Sequence, residues 1–179
     1  MPISSLPIEH GGLVVDGEKI AAVGEFDSVR SQFPDADVED FGEAAILPGF
    51  VNCHSHLELT AMRGALDDVE HDFRSWLLKI NDLRKNLSEP EIDDAALLGA
   101  REGAAAGVTT FGDIGRNGSS GVRALKQVGL RGFVFQETEF SPDNRTADED
   151  FAKLGEKFEQ LKLEETDLVR VGISPHSAY

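Results

Sequence analysis

The sequence predicts an α/β protein in which a small β module precedes a parallel sheet whose strands alternate with helices. Three observations predict it. From residue 48 onward, apolar β-branched runs alternate with amphipathic or alanine-rich stretches, the rhythm of a parallel sheet with crossover helices. Before residue 48 the pattern is two short apolar runs around a turn. Four consecutive predicted strands also run into a residue able to bind metal, move a proton or hold a polar group, and chemistry gathers at such strand ends.

Each element has its own justification. In GGLVVDGEKIAAVG (11–24), Leu13, Val14 and Val15 precede Asp16-Gly17, a hairpin turn, and Ile20 to Val23 follow it. Residues 35–49 add a polar stretch and then Ala44-Ala45-Ile46-Leu47 before Pro48-Gly49. Phe50-Val51-Asn52 is apolar and extended. Phe73, Trp76, Leu77, Ile80, Leu83 and Leu87 recur at spacings of three and four, which predicts an amphipathic helix over 71–87. Ser88 and Glu91 form a capping box with Pro90 in the first turn. The alanine-rich helix they open runs to about Ala106 and stops at Gly107. Val108 to Phe111 is a short strand ending at Gly112-Asp113. A helix near 120–128 ends at Gly129, and GFVFQ (132–136) is the next strand. Phe151, Leu154, Phe158 and Leu161 mark a helix, and Val169, Val171 and Ile173 form a strand leading into Ser174-Pro175-His176.

Composition narrows the function. Net charge is −16, from 33 acidic against 17 basic residues, with no basic cluster. Phosphate contacts need Lys and Arg, so nucleic acid is not an expected partner. Cys53 is the single cysteine, which excludes an internal disulfide and fits a reducing compartment. The N-terminus has no basic segment followed by an apolar core, and no apolar run approaches the ~20 residues of a membrane helix. No membrane partner is expected, and cytoplasm is the expected location.

In ILPGFVNCHSHLELTAMRG (46–64) two of the five histidines, His54 and His56, stand one residue apart. On a strand they share a face with Cα atoms about 6.6–7 Å apart, a bite for one divalent metal through neutral imidazoles. Such a metal lowers the pKa of its water toward ~7. The pair is an incomplete site, because a catalytic zinc generally has three protein ligands and one open position. Asp113, Glu137 and His176 end the next three strands. His10, in the β module, and His71, beside Glu70, read as surface residues. The glycines of GDIGRNGSSG (112–121) lie where a phosphate could be cradled. Their spacing matches neither the P-loop nor the dinucleotide fingerprint, and the stretch reads as a flexible βα loop.

LPGFVNCHSHLE, GVTTFGDIG and RVGISPHSAY, in that order, resemble the amidohydrolase superfamily. The nearest part is its cytosine-deaminase-like branch, with chlorohydrolases, guanine deaminases and adenosine-type deaminases. The resemblance implies the first half of a (β/α)₈ TIM-type barrel (48–179) preceded by part of a small β-sandwich domain (1–47). It implies that His54 and His56 are metal ligands and that His176 contacts substrate rather than metal. Glu58 and Glu137 resemble substrate-binding positions in deaminases of aminofutalosine and related nucleosides. Gln136 stands where methylthioadenosine and S-adenosylhomocysteine deaminases carry an arginine near strand three. The family's third metal histidine, its general acid/base and its metal-linked aspartate would follow later strands, beyond Tyr179. A complete barrel needs about 250 residues, so the chain is expected to be a fragment, truncated at both ends and inactive alone. The implied cofactor is one divalent ion, zinc first, with iron or manganese as alternatives. The implied reaction is hydrolytic deamination of a small amino-heterocycle or purine nucleoside, at a C–N bond other than a peptide bond, in a full-length enzyme that is a possible homo-oligomer. Alternatives are chlorohydrolase or cyclic-amide hydrolase chemistry, or a non-catalytic α/β phosphate-binding module.

Overall fold

The structure, a computed structural model, describes residues 5–138 and 145–176. The end of the RVGISPHSAY motif, residues 177–179, lies outside the described residues. The chain divides into two compact units, Met1–Pro48 and Gly49–Tyr179.

In the first unit, β1 (Gly11–Asp16) and β2 (Lys19–Glu25) pair antiparallel, with Leu13 opposite Val23. Gly17 turns the hairpin at φ +59°, a left-handed conformation that glycine adopts without cost. A short helix, α1 (Phe26–Gln32), follows and buries Val29 against the hairpin. Gly12 and Gly24 leave it room, since a Cβ at Gly24 would stand 3.3 Å from Val29 Cγ2. The sequence reading anticipates the hairpin and misses this helix, which at two turns is too short to show a period.

The second unit is a four-stranded parallel sheet in the order β3 (Phe50–Ser55), β4 (Val108–Gly115), β5 (Arg131–Glu137), β6 (Val169–Ser174). Helices α2 (Phe73–Lys85) and α3 (Glu89–Ala105) connect β3 to β4; α4 (Gly118–Val128) connects β4 to β5, and α5 (Ala147–Lys162) connects β5 to β6. Strand order therefore follows chain order, as in the opening half of a (β/α)₈ barrel.

Strand alternation decides which residues become core. Phe111, Asp113 and Gly115 of β4, with Gly132, Val134 and Gln136 of β5, form the buried alternate set. Phe111 and Val134 pack with Leu57, Ala96, Ala100, Val122, Leu125, Leu161 and Val169. Ala96 and Ala100 are completely buried, and their small side chains let α3 lie close to the sheet. α3 begins where the capping box places it, with the Glu91 carboxylate accepting from the Ser88 N–H (2.8 Å) and hydroxyl (2.6 Å). α4 ends at Gly129, left-handed at φ +78°, whose N–H bonds back to Leu125 and Lys126 carbonyls.

One expectation is corrected. Residues 112–121 are not a flexible loop: β4 continues to Gly115 and α4 starts at Gly118, leaving Arg116-Asn117 as the whole connection. The glycines answer to crowding rather than mobility. A Cβ on Gly112 would meet the Cys53 carbonyl oxygen at 2.7 Å, and one on Gly118 would meet Leu161 at 2.9 Å. A Cβ on Gly121 would press on the Asp113 carboxylate. Glycine spacing thus reports close packing of β3, β4 and α4, which composition alone does not separate from a loop.

Gly112→Ala is expected to destabilise the protein by about 1–3 kcal/mol through overpacking against the β3 backbone. Chemical denaturation measures this; unchanged stability would contradict the close approach of the strands.

Candidate functional site

The site is built at the carboxyl ends of the four parallel strands. His54 is the penultimate residue of β3, and His56 follows the strand directly. The β3–β4 register shifts between Asn52 and Ser55, where three residues of β3 span two of β4. Such a bulge re-aims side chains beside it. The two imidazole rings stand edge to face, their centres 5.1 Å apart. Two imidazoles on one tetrahedral zinc, with bonds near 2.0–2.1 Å, have ring centres about 5 Å apart. The ring-centre spacing of the pair matches that distance.

β4 supplies the partner that holds the His56 ring. His56 Nδ1 lies 2.7 Å from the Ile114 carbonyl oxygen, which can only accept. The Nδ1 position therefore carries the proton, and Nε2 carries the lone pair a metal needs. One residue earlier, the Asp113 carboxylate accepts the Leu57 N–H at 2.8 Å and stands 3.2 Å from the Ser55 hydroxyl. Asp113 is only 2 % exposed. Burial pushes its carboxyl up to about 6, against the hydrogen bonds from Leu57 and Ser55 that favour the charged form; nearby Glu58 adds to the rise and His56 opposes it.

Glu58 lies in a 3₁₀ helix (Leu57–Met62) after His56 and is buried, 6 % exposed. Its carboxylate pairs with Arg84 of α2 at 2.5 Å and accepts the backbone N–H groups of Arg116 (3.3 Å) and Asn117 (3.2 Å). Burial pulls the Arg84 guanidinium below its ordinary value, and the Glu58 charge opposes that pull. Glu137, last in β5, accepts from His176 Nδ1 at 2.9 Å and faces Arg116 Nε at 3.6 Å. The His176 backbone N–H donates to Thr138 Oγ1 at 2.7 Å. Glu58, Arg84, Arg116 and Asn117 line a cleft of about 270 Å³ together with Met62 and Leu87.

The structure thus joins Glu137 to His176, and separately His54 to His56. Among the described residues no group of three His, Cys, Asp or Glu is placed to hold a metal. Gln136 is 4 % exposed, accepts the Gly118 N–H and donates to the Arg116 carbonyl. These two bonds hold the Gln136 side chain on the β4–α4 turn. Sequence reasoning missed Arg84 and Arg116. Arg84 reads as an ordinary helix-terminal charge, whereas Arg116 is the one cationic residue in the glycine-rich segment 112–121, a signal that could have been used. No helix among the described residues is long and apolar enough to cross a membrane.

A model of the amidohydrolase family matches residues 45–179, and one of a bacterial imidazolonepropionase-like composite domain matches residues 11–36. A 5-methylthioadenosine/S-adenosylhomocysteine deaminase of Thermodesulfovibrio yellowstonii is 32% identical over 178 residues, covering 96% of this chain and 40% of that protein. The structure of Helicobacter pylori aminofutalosine deaminase in complex with methylthio-coformycin superposes with a TM-score of 0.74 at 25% identity, covering 94% of this chain and 39% of that one. An adenosine deaminase from Xanthomonas campestris with bound zinc gives a TM-score of 0.72 at 25% identity, covering 94% and 38%. The chain spans about 40% of the length of the curated relatives it matches.

Because the folded Asp113 carboxyl lies above its ordinary value of 3.8, its contribution to stability is complete below about pH 4 and lost as pH rises through about 6. Asp113→Asn is uncharged throughout. Between about pH 4 and about pH 7 the unfolding free energy of the wild type is expected to fall relative to that variant by about 2–3 kcal/mol, read by urea titration. A constant difference would contradict the burial of the charge.

Proposed function

The chain belongs to the amidohydrolase family, and on that premise we propose that it carries the metal-ligand pair and part of the substrate pocket of a hydrolytic deaminase. Its substrate class is an amino-substituted purine nucleoside or similar heterocycle. The observation that carries this reading is the His56 Nδ1 contact with the Ile114 carbonyl, because it leaves the His56 Nε2 lone pair for an ion while the His54 ring centre stands 5.1 Å from that of His56. Similarity to proteins named as 5-methylthioadenosine/S-adenosylhomocysteine, 5′-deoxyadenosine and aminofutalosine deaminases supports the substrate class.

His54 and His56 would hold one divalent ion, zinc being the ion bound in similar solved structures. Such an ion, when bound, supplies Lewis acidity and a hydroxide at neutral pH for attack on the ring carbon bearing the amine. The chain's own residues bind and orient. His56 is held in one tautomer by Ile114. His176, its ring fixed by Glu137, hydrogen-bonds the heterocycle and resists its rotation. Glu137 acts on the substrate through that ring and through Arg116. Glu58 fixes Arg84 and the Arg116-Asn117 turn, so its part in binding the substrate's polar periphery is carried by those neighbours. The remaining ligands and the acid/base group fall to later strands of the full-length protein.

The full-length protein loaded with zinc is expected to release ammonia from 5′-substituted adenosines. With both His54→Ala and His56→Ala in place, bound zinc is lost and ammonia release falls to background. Retention of zinc and turnover by the double variant would refute the assignment. A second prediction concerns Glu137→Gln, which keeps a hydrogen-bond acceptor for His176 but removes the charge. It is expected to raise KM by about tenfold, the scale of one charge-assisted hydrogen bond, with zinc content unchanged; loss of zinc would place Glu137 in the metal site instead.

A further inference from the structure

We propose that Asp113 is a positioning residue of the metal site: its buried carboxylate fixes the backbone on both sides of His56 and so sets the two imidazoles at metal-binding spacing. This rests on the assignment of His54 and His56 as ligands. The chain direction supports it. His54 and His56 lie on one side of the β3 terminus, so Ser55 and Leu57 turn to the other. There the Leu57 N–H donates to Asp113 Oδ1 at 2.8 Å, and the Ser55 hydroxyl stands 3.2 Å from the same oxygen and 3.1 Å from the Gly112 carbonyl. His56 is thereby held from the residue before it and the residue after it. Its ring is held from a third direction by the Ile114 carbonyl, one residue beyond Asp113.

Two further features show that the fold is shaped around this carboxylate. Gly121 of α4 has no side chain where a Cβ would press on Asp113 Oδ2. The bulge between Asn52 and Ser55 ends where Ser55 comes into register with Asp113. An apolar residue of similar size would fill the same space with no desolvation cost. What only an acceptor provides is a fixed partner for the Leu57 N–H, which the 3₁₀ helix leaves without an intrahelical bond. Groups that orient metal ligands from behind commonly change metal affinity by 10–100-fold when removed.

The test uses the full-length protein and zinc alone, with affinity read by competition against a chromophoric chelator. Asp113→Ala is expected to weaken zinc binding by about 10–100-fold. Asp113→Asn, which keeps the accepting oxygen, is expected to stay within about threefold of wild type. Val122→Ala, a cavity in the same core, controls for stability and should leave zinc affinity unchanged. If Asp113→Ala does not fold, Ser55→Ala reports on the same grip and is expected to weaken zinc severalfold. Wild-type affinity in Asp113→Ala or in Ser55→Ala would overturn the inference. So would an equal loss in Val122→Ala, which would make the effect one of general stability. The double variant carrying His54→Ala and His56→Ala separates the two claims. If it keeps zinc, the ligand assignment fails and this inference with it; if it loses zinc while Asp113→Ala does not, only the positioning role fails.

Discussion

A carboxylate buried between β4 and α4 meets one backbone N–H and one hydroxyl from the end of β3 and the turn after it, and the carboxyl end of the sheet is organised around those two contacts. Asp113 accepts the Leu57 N–H and lies within reach of the Ser55 hydroxyl. Burying such a group is costly unless its oxygens are used. Using them ties the end of β3 to the middle of β4 across 56 to 58 residues of chain. The neighbouring features follow from that tie: a glycine at 121 to admit the carboxylate, a bulge in β3 to reach it, and histidines on the opposite side of the strand.

Around this anchor the charges alternate. Glu58 meets Arg84, Glu137 meets Arg116, and His176 meets Glu137. In a chain of net charge −16, two arginines have been drawn into the strand-end cleft and each faces a carboxylate. Buried pairs contribute little net stability against an apolar replacement, yet removing one partner leaves an uncompensated charge. Their clearest consequence is geometric. They hold α2, the 3₁₀ helix and the Arg116-Asn117 turn in one arrangement about the cleft.

Much of this was legible in the sequence where the determinant is local. The capping box of Ser88 and Glu91, the stop at Gly129 and the Asp16-Gly17 hairpin each depend on a few adjacent residues, and each appears where the sequence placed it. The His-x-His pair was legible as a candidate because its spacing is local and the PGFVNCHSH stretch around it carries the family resemblance. What escaped was set by partners far away in the chain. Glu58 was expected to bind substrate, but in the structure its carboxylate is engaged by Arg84, 26 residues on, and by the turn 58 to 59 residues on. The glycines at 112–121 read as freedom, whereas they record the approach of Cys53, Asp113 and Leu161. A single sequence carries no statement of which distant atom a missing side chain makes room for.

The central claim is that β4 presents the His54–His56 pair to a metal with the His56 proton on Nδ1. Nitrogen-15 spectra of the imidazole rings in the full-length protein, taken before and after one equivalent of zinc, test it most directly. The account predicts a protonated His56 Nδ1 and an unprotonated Nε2, with the Nε2 resonance and a His54 ring nitrogen shifting on zinc addition. A proton on His56 Nε2, or ring nitrogens of both histidines unmoved by zinc, would contradict it.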